Sequence, residues 1–251
     1  MFKAELEEVG LIKDSMKTIS DLISEGLFQL TDDGIRLVAA DPAMVALVDF
    51  KLEKDVFESF ELNEEDKVGL NLENFYSILR RANSSDTITF EVDEDESKFK
   101  ITMENGSTRN FSLPILNLSE DDIPDTESLD QFTVTAELET SVLENAIKDA
   151  MVVGDSVKIN ATDKELNIAA EGDQSNVEFT VTGDSEGVME IDGSEAQSMF
   201  SLDYLNSMIG AKRLSDTMTL RIGQDFPMRL EFIVPEKADL SFVLAPRIEE
   251  D

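Results

Sequence analysis

In the first half of the chain, segments in which apolar residues recur with the period of a strand are interrupted by segments in which they recur with the period of a helix. Phe2, Ala4 and Leu6 alternate as in a strand, and residues 9–23 carry apolar side chains at helical spacing. Alternating segments then predict four strands up to residue 70, a second helix at 72–82, and three closing strands.

The second half repeats this order from residue 132. Ser141 is the expected N-cap of its first helix, and Gly210 is expected to end a short helix at 202–209. The pattern predicts an α+β fold, with antiparallel strands and two helices in each half.

Identical and similar apolar residues recur between the halves at an almost constant offset. Phe111 and Leu113 match Phe242 and Leu244 at an offset of 131. The other matched segments are 4–6 with 136–138, 31–32 with 162–163, and 35–39 with 166–170. Several ordered matches at nearly one offset predict a duplicated domain.

An acidic segment lies between the two copies. Residues 117–131 contain six Asp or Glu, and no strand or helix period runs through the segment. We therefore predict an N-terminal domain at 1–116, an extended linker at 117–131 and a C-terminal domain at 132–251.

Composition restricts the chemistry of the chain. Cys and His are both absent, which excludes disulfides, thiolate nucleophiles, the usual zinc ligand sets and nucleophile–His pairs. No Gly-rich phosphate loop occurs, and the acidic run that starts at Asp93 has Lys98 where a calcium-binding EF-hand loop requires Gly. A pair of catalytic carboxylates is an alternative that the sequence leaves open, although no motif marks a particular pair of Asp or Glu residues. No cofactor or metal is expected.

The net charge is −34, from 55 acidic and 21 basic residues. An acidic functional face and adaptation of the whole surface to molar salt are competing interpretations. The acidic residues are spread along the whole chain, which favours the adaptation to salt. Neither a membrane-spanning apolar run nor a basic segment followed by an apolar one is present, so we expect no membrane association and no secretion.

The predicted helices hold a third of the cations. Helices tolerate Lys and Arg, which is one explanation; the other is a face kept less negative for a polyanion. These basic residues are Lys13, Lys17, Arg80, Arg81, Lys148, Lys212 and Arg213.

Four segments together resemble the proliferating cell nuclear antigen family, the sliding clamps of archaea and eukaryotes. They are DGIRLVAADPAMVALV at 33–48, SLDYLNSM at 201–208, FPMRLEF at 226–232 and the C-terminal FVLAPRIEED, with an Ile-Pro pair inside the linker. The similarity runs along the whole chain, and the acidic excess and lack of His resemble a halophilic archaeal member.

The resemblance implies a DNA-clamp fold and a closed homotrimer of six domains around double-stranded DNA. The helices would line the hole, so the seven basic residues above would face DNA without sequence specificity. Edge strands of neighbouring subunits would meet at Arg109, Phe111, Leu113, Val177, Phe179 and Val181. The protein would be a processivity factor rather than an enzyme, cytoplasmic and associated with the nucleoid.

Partners follow from the same resemblance. DNA polymerase, clamp loader, flap endonuclease and DNA ligase would insert a short peptide into an apolar pocket under the linker. The matching positions are Met44, Val45, Leu47, Ile123, Pro124, Pro227, Ala245 and Pro246. Alternatively, Ile123 merely pins the linker down.

Two other classes of function stay open at this level. A carboxylate-based enzyme would turn over a nucleotide or sugar substrate, and an acidic scaffold or DNA mimic would not be loaded on circular DNA.

Overall fold

The computed structural model describes residues 1–93, 95–119 and 131–248 of the 251-residue chain. These residues form two compact units. The first comprises the described residues within 1–42, 48–124 and 234–240, and the second those within 43–47, 125–233 and 241–251.

The first half of the chain begins with a strand and a helix, continues through five strands and a second helix, and closes with three strands. The elements are β1 (Phe2–Leu6), α1 (Val9–Ser20), β2 (Glu25–Thr31), β3 (Gly34–Ala40), β4 (Ala46–Glu53), β5 (Ser59–Leu62), β6 (Asp66–Asn71), α2 (Leu72–Leu79), β7 (Thr87–Asp93), β8 (Lys98–Glu104) and β9 (Thr108–Pro114). A short 3-10 turn, Lys54–Val56, precedes β5.

The second half repeats that order element by element. It consists of β10 (Val134–Glu139), α3 (Thr140–Met151), β11 (Ser156–Ala161), β12 (Glu165–Glu171), β13 (Asn176–Thr182), β14 (Val188–Gly193), β15 (Ala196–Ser201), α4 (Leu202–Met208), a 3-10 segment (Ile209–Arg213), β16 (Thr217–Ile222), β17 (Met228–Val234) and β18 (Ala238–Leu244). The predicted duplication and the two helices per half are confirmed.

In the first unit, antiparallel strands form a five-stranded sheet in the order β5-β1-β7-β8-β9, and β6, β2, β3 and β4 are successive neighbours in another sheet. Helix α1 lies beside α2. Phe75 of α2 anchors the core, because its ring centroid lies 5.8 Å from Phe28, 5.9 Å from Phe90 and 5.8 Å from Phe99. These rings come from β2, β7 and β8, so α2 is fixed against strands of both sheets.

In the second unit, β13-β12-β11-β15 form an antiparallel four-stranded sheet, and β14, β10, β16 and β17 are successive neighbours in another. Helix α3 packs beside α4. Its buried side, Leu143, Ala146, Ile147 and Ala150, has the spacing of an amphipathic helix. The opposite side of α3 is therefore left for charged residues.

Several expected helix ends are wrong. Helices α1 and α2 end at Ser20 and Leu79 rather than at residues 23 and 82. Helix α3 begins at Thr140, since the Thr140 amide donates to the Asp216 carbonyl oxygen at 2.7 Å and the Thr140 hydroxyl donates to the Ser215 carbonyl oxygen at 3.1 Å. Ser141 lies exposed inside the first turn rather than capping it. Helix α4 ends at Met208, and the chain continues through Gly210 as a 3-10 segment.

The strands β5 and β14 were not predicted from the sequence. Neither contains a buried residue. Strand β5, SFEL, alternates polar and apolar residues over only four positions, and β14, VMEIDG, does not alternate regularly.

Candidate nucleic-acid interface and peptide-binding site

In the first unit, the two lysines predicted to face DNA are engaged within the protein. The Lys13 ammonium donates to the carbonyl oxygen of Ala82, beyond the end of α2, at 2.9 Å. Lys17 forms an ion pair with Asp21 one turn later, and its ammonium lies 5.7 Å from the centroid of the Tyr76 ring on α2. Both lysines therefore help to hold α1 and its surroundings together.

The two arginines of this unit follow α2 directly. Arg80 is its C-cap residue, and Arg80 and Arg81 are exposed, with no side-chain partner among the described residues. The turn that they open runs on to Asp86. The guanidinium charges of Arg80 and Arg81 are therefore available to an external anion.

An ion pair between a buried carboxylate and a partly exposed guanidinium anchors that turn. The side chain of Asp86 is 1% exposed, and it pairs with Arg109 of β9 and accepts the amide of Asn83 at 2.7 Å. Arg109 also donates to the carbonyl oxygen of Arg81 at 3.0 Å. The amide of Asn83 and the charge of Arg109 hold the pKa of the Asp86 carboxyl below its usual value. Arg109, expected at a subunit contact, thus also positions the turn that carries Arg80 and Arg81.

In the second unit, one carboxylate bridges two of the predicted lysines. Glu144 Oε1 lies 2.6 Å from the Lys148 ammonium and 2.6 Å from that of Lys212. The Glu144 side chain is 14% exposed, whereas Lys148 and Lys212 are 59% and 44% exposed. Hydrogen bonds from Lys148 and Lys212 lower the pKa of Glu144. Arg213 is exposed and has no side-chain partner in the part of the chain that the structure describes.

The strands predicted to meet between subunits both lie at the end of a sheet. Strand β9 ends the five-stranded sheet and β13 ends the four-stranded one. Each has seven residues, and both show the same order of exposed, half-buried and buried positions. Arg109, Phe111, Val177 and Phe179 are half-buried, whereas Leu113 and Val181 are buried within their own units.

Six residues of the predicted peptide pocket belong to the second unit. Met44 is 68% exposed with a φ of 56°, a left-handed conformation that is uncommon outside glycine. Val45 and Ala245 are joined by a backbone hydrogen bond of 2.8 Å, from the amide of Ala245 to the carbonyl oxygen of Val45. Leu47, Pro227 and Pro246 are half-buried. Ile123 and Pro124 lie outside the described residues.

A cavity of about 200 Å³ adjoins this set at Pro246 and was not predicted from the sequence. Lys158, Gln197, Asp225 and Arg247 supply polar side chains to its wall. Arg247 forms an ion pair of 3.1 Å with Asp155, and its amide donates to the carbonyl oxygen of Met199 at 2.7 Å. No local pattern could have shown this cavity, because its wall combines four separate segments of the chain.

Within 1–93, 95–119 and 131–248, no group of three or more acidic side chains is arranged to hold a metal ion. No helix in these ranges is long and apolar enough to cross a membrane.

Models of two adjoining domains match the chain. The N-terminal domain of proliferating cell nuclear antigen matches residues 1–123, and the C-terminal domain matches residues 122–247. The DNA polymerase sliding clamp of Thermococcus fumicolans is 34% identical over 240 residues, 94% of each chain. That of Pyrococcus furiosus is 34% identical over 234 residues, 93% of each chain.

Solved structures agree with this result. The crystal structure of PCNA from Thermococcus kodakaraensis has a TM-score of 0.88 at 27% identity, covering 98% of this chain and all of that one. The PCNA2–PCNA3 complex of Sulfolobus tokodaii contains a chain with the same TM-score at 24% identity, which supports the fold. The chain belongs to the proliferating cell nuclear antigen family.

Proposed function

We propose that this protein is a DNA polymerase sliding clamp, a ring that encircles duplex DNA and tethers replication and repair enzymes to it. The observation that carries the proposal is the match of both halves to the two clamp domains, in order and with nearly full coverage of the named relatives. The domains are 1–116 and 132–251, joined by the linker 117–131. A sliding clamp acts by encircling DNA, so no catalytic group is assigned. The protein would act wherever the cell keeps its DNA.

Ring closure is assigned to pairing of β9 of one subunit with β13 of the next. An unpaired edge presents free backbone N–H and C=O groups, and closure of a ring removes such edges. The two strands suit each other in length and burial pattern. Acidic residues make up 55 of 251 positions, so 14 residues would carry about three, yet these two strands hold only Glu178. Weak like-charge repulsion at this contact supports a homotrimer in a strongly acidic protein.

All six interface residues predicted from the sequence remain assigned to the subunit contact, but they contribute to it in two different ways. Arg109, Phe111, Val177 and Phe179 have exposed surface to give to a neighbouring subunit, while Leu113 and Val181 mainly anchor the two strands in their own cores.

Contact with DNA is assigned to the helix pair of each unit, through Lys13, Lys17, Arg80, Arg81, Lys148, Lys212 and Arg213. Phosphate contacts of this kind position a protein on DNA without reading sequence. Affinity from such contacts falls steeply with salt, and the Debye length is only about 3 Å at 1 M. A ring needs no tight contact to stay on DNA, which suits a halophilic protein with a net charge of −34.

Partner proteins are assigned to the pocket of Met44, Val45, Leu47, Ile123, Pro124, Pro227, Ala245 and Pro246. DNA polymerase, clamp loader, flap endonuclease and DNA ligase would each present a peptide of the form Gln-x-x-aliphatic-x-x-aromatic-aromatic. The exposed Met44 and half-buried Leu47 offer apolar surface to such a peptide.

Primer extension tests the function. In high KCl, a clamp-dependent archaeal polymerase and clamp loader should copy a primed circular template into much longer products when this protein is present. Leu47→Ser should reduce that lengthening while leaving the oligomeric state unchanged. Products of equal length with and without the wild-type protein would refute the assignment.

A further inference from the structure

The seven cations assigned to DNA differ in whether they are already engaged within the protein. All four lysines have internal partners: Lys13 the carbonyl of Ala82, Lys17 the carboxylate of Asp21, and Lys148 and Lys212 that of Glu144. The three arginines, Arg80, Arg81 and Arg213, are exposed and have no side-chain partner among the described residues.

Glu144 gives the clearest case, because one carboxylate neutralises two cations from different elements. Lys148 lies one turn further along α3, and Lys212 reaches it from the 3-10 segment after α4. The Glu144 side chain is 14% exposed, so its carboxylate is held in place between the two ammonium groups, which themselves stay partly in water. Together the three side chains carry a net charge of +1 rather than +2.

We propose that Glu144 is a built-in counter-ion that withholds Lys148 and Lys212 from DNA phosphate, so that Arg213 carries the phosphate contact of this helix pair. The inference rests on the proposed function, since it assumes that α3 and the 3-10 segment face DNA. A phosphate that approaches Lys148 or Lys212 has to compete with a carboxylate already 2.6 Å from each ammonium, and that carboxylate repels it.

The same division holds in the first unit. Lys13 and Lys17 tie α1 to its surroundings, whereas Arg80 and Arg81 stand on a turn that the Asp86–Arg109 pair fixes. Arginine keeps its charge and binds phosphate through a planar fork of donors, so it makes the stronger phosphate contact. A weak, adjustable contact with DNA is what a sliding ring requires.

Fluorescence anisotropy with a labelled duplex tests the proposal across a KCl series. Glu144→Gln should bind several-fold more tightly than the wild type, with a slope of log affinity against log salt steeper by about 1 to 2, as expected for one or two added phosphate contacts. Asp149→Asn is the matched control, because it removes the same charge from the same helix at an exposed position without a cation partner among the described residues. It should change affinity less and leave the slope unchanged. The proposal would be overturned if Glu144→Gln and Asp149→Asn had the same DNA affinity and salt slope, or if Glu144→Gln bound DNA less tightly than the wild type.

A second pair of variants leaves Glu144 intact and so avoids any effect of its loss on folding. Arg213→Gln should flatten the salt slope by about 1, whereas Lys148→Gln combined with Lys212→Gln should flatten it by less, although that combination removes twice as much charge. The reverse ranking would overturn the proposal. Retention of the wild-type protein on circular DNA separates the proposed function from this inference. If the wild type is not retained, the clamp function is refuted. If it is retained but the variants rank in the reverse order, only the proposal about Glu144 is refuted.

Discussion

Arg109, on the last strand of the first domain, forms an ion pair with Asp86, whose side chain is 1% exposed. Arg109 also donates to the carbonyl oxygen of Arg81 at 3.0 Å. The strand assigned to subunit contact and the turn assigned to DNA are thus held by one guanidinium group.

Asp86→Asn should lower the midpoint of thermal unfolding by several degrees. The substitution leaves Arg109, which is 32% exposed, without its carboxylate partner, and it removes a charge-assisted hydrogen bond, which contributes more than a neutral one. Differential scanning calorimetry in high KCl measures the change. Lys98→Gln is the control, because Lys98 and Glu96 form an exposed pair, 45% and 55% exposed, of the kind that contributes little to stability. An equal effect of both substitutions would show that the Asp86 pair is not a stabilising contact.

The stability difference between the wild type and Asp86→Asn should depend on pH. Since the folded protein lowers the pKa of Asp86, the ionised carboxylate stabilises the fold above the unfolded value of about 3.9, and this contribution is lost as pH falls through the lower folded value. Unfolding midpoints of both proteins, measured between pH 7 and pH 2, should therefore converge at the acid end. A difference that stays constant down to pH 2 would contradict the ionised pair.

Leu47→Ser should weaken binding of a peptide with the motif Gln-x-x-aliphatic-x-x-aromatic-aromatic. Calorimetry should give micromolar affinity for the wild type, about −8 kcal/mol, and a loss of tenfold or more in the variant, about 1.4 kcal/mol. Ile233→Ser is the control, since Ile233 is 51% exposed on β17 and outside the proposed pocket. Equal loss in both variants would exclude a specific pocket at Leu47.

The oligomeric state should depend on salt. Three subunits carry a charge of about −100, and repulsion between them acts over roughly 30 Å at 0.01 M salt but only about 3 Å at 1 M. Light scattering should give a mass of three 27.9 kDa chains in molar KCl, and dissociation in tens of millimolar. A trimer that persists unchanged at low salt would show that specific contacts between subunits outweigh the charge.

The sequence predicted the order of elements well where one face of an element is buried. Strand β7, for example, alternates buried and half-buried positions throughout, and that pattern is legible in the sequence. Strands β5 and β14 bury no residue; β5 alternates over only four positions and β14 not regularly, so neither was predicted. Ser141 had the right chemistry for a cap, but bonds from Thr140 to the distant Ser215 and Asp216 fixed the helix start two residues earlier, with Glu139 at the N-cap position.

The candidate site was predictable only in part. Basic residues on the helices could be listed from the sequence, and two of their partners lie at the local i,i+4 spacing, Asp21 for Lys17 and Glu144 for Lys148. The distant partners could not be predicted, because Glu144 and Lys212 are 68 residues apart and Lys13 and Ala82 are 69 apart. The pairing of Asp86 with Arg109 likewise joins residues 23 positions apart. Such contacts depend on the tertiary fold, which carries no local period.

Retention on DNA tests the ring most directly. In molar KCl, where phosphate contacts contribute little affinity, the protein should remain on closed circular DNA after loading by an archaeal clamp loader and elute with it in gel filtration. Cutting the circle once should release the protein, because a ring can slide off a free end. Release at the same rate from circular and linear DNA, or no loading at all, would contradict an encircling clamp.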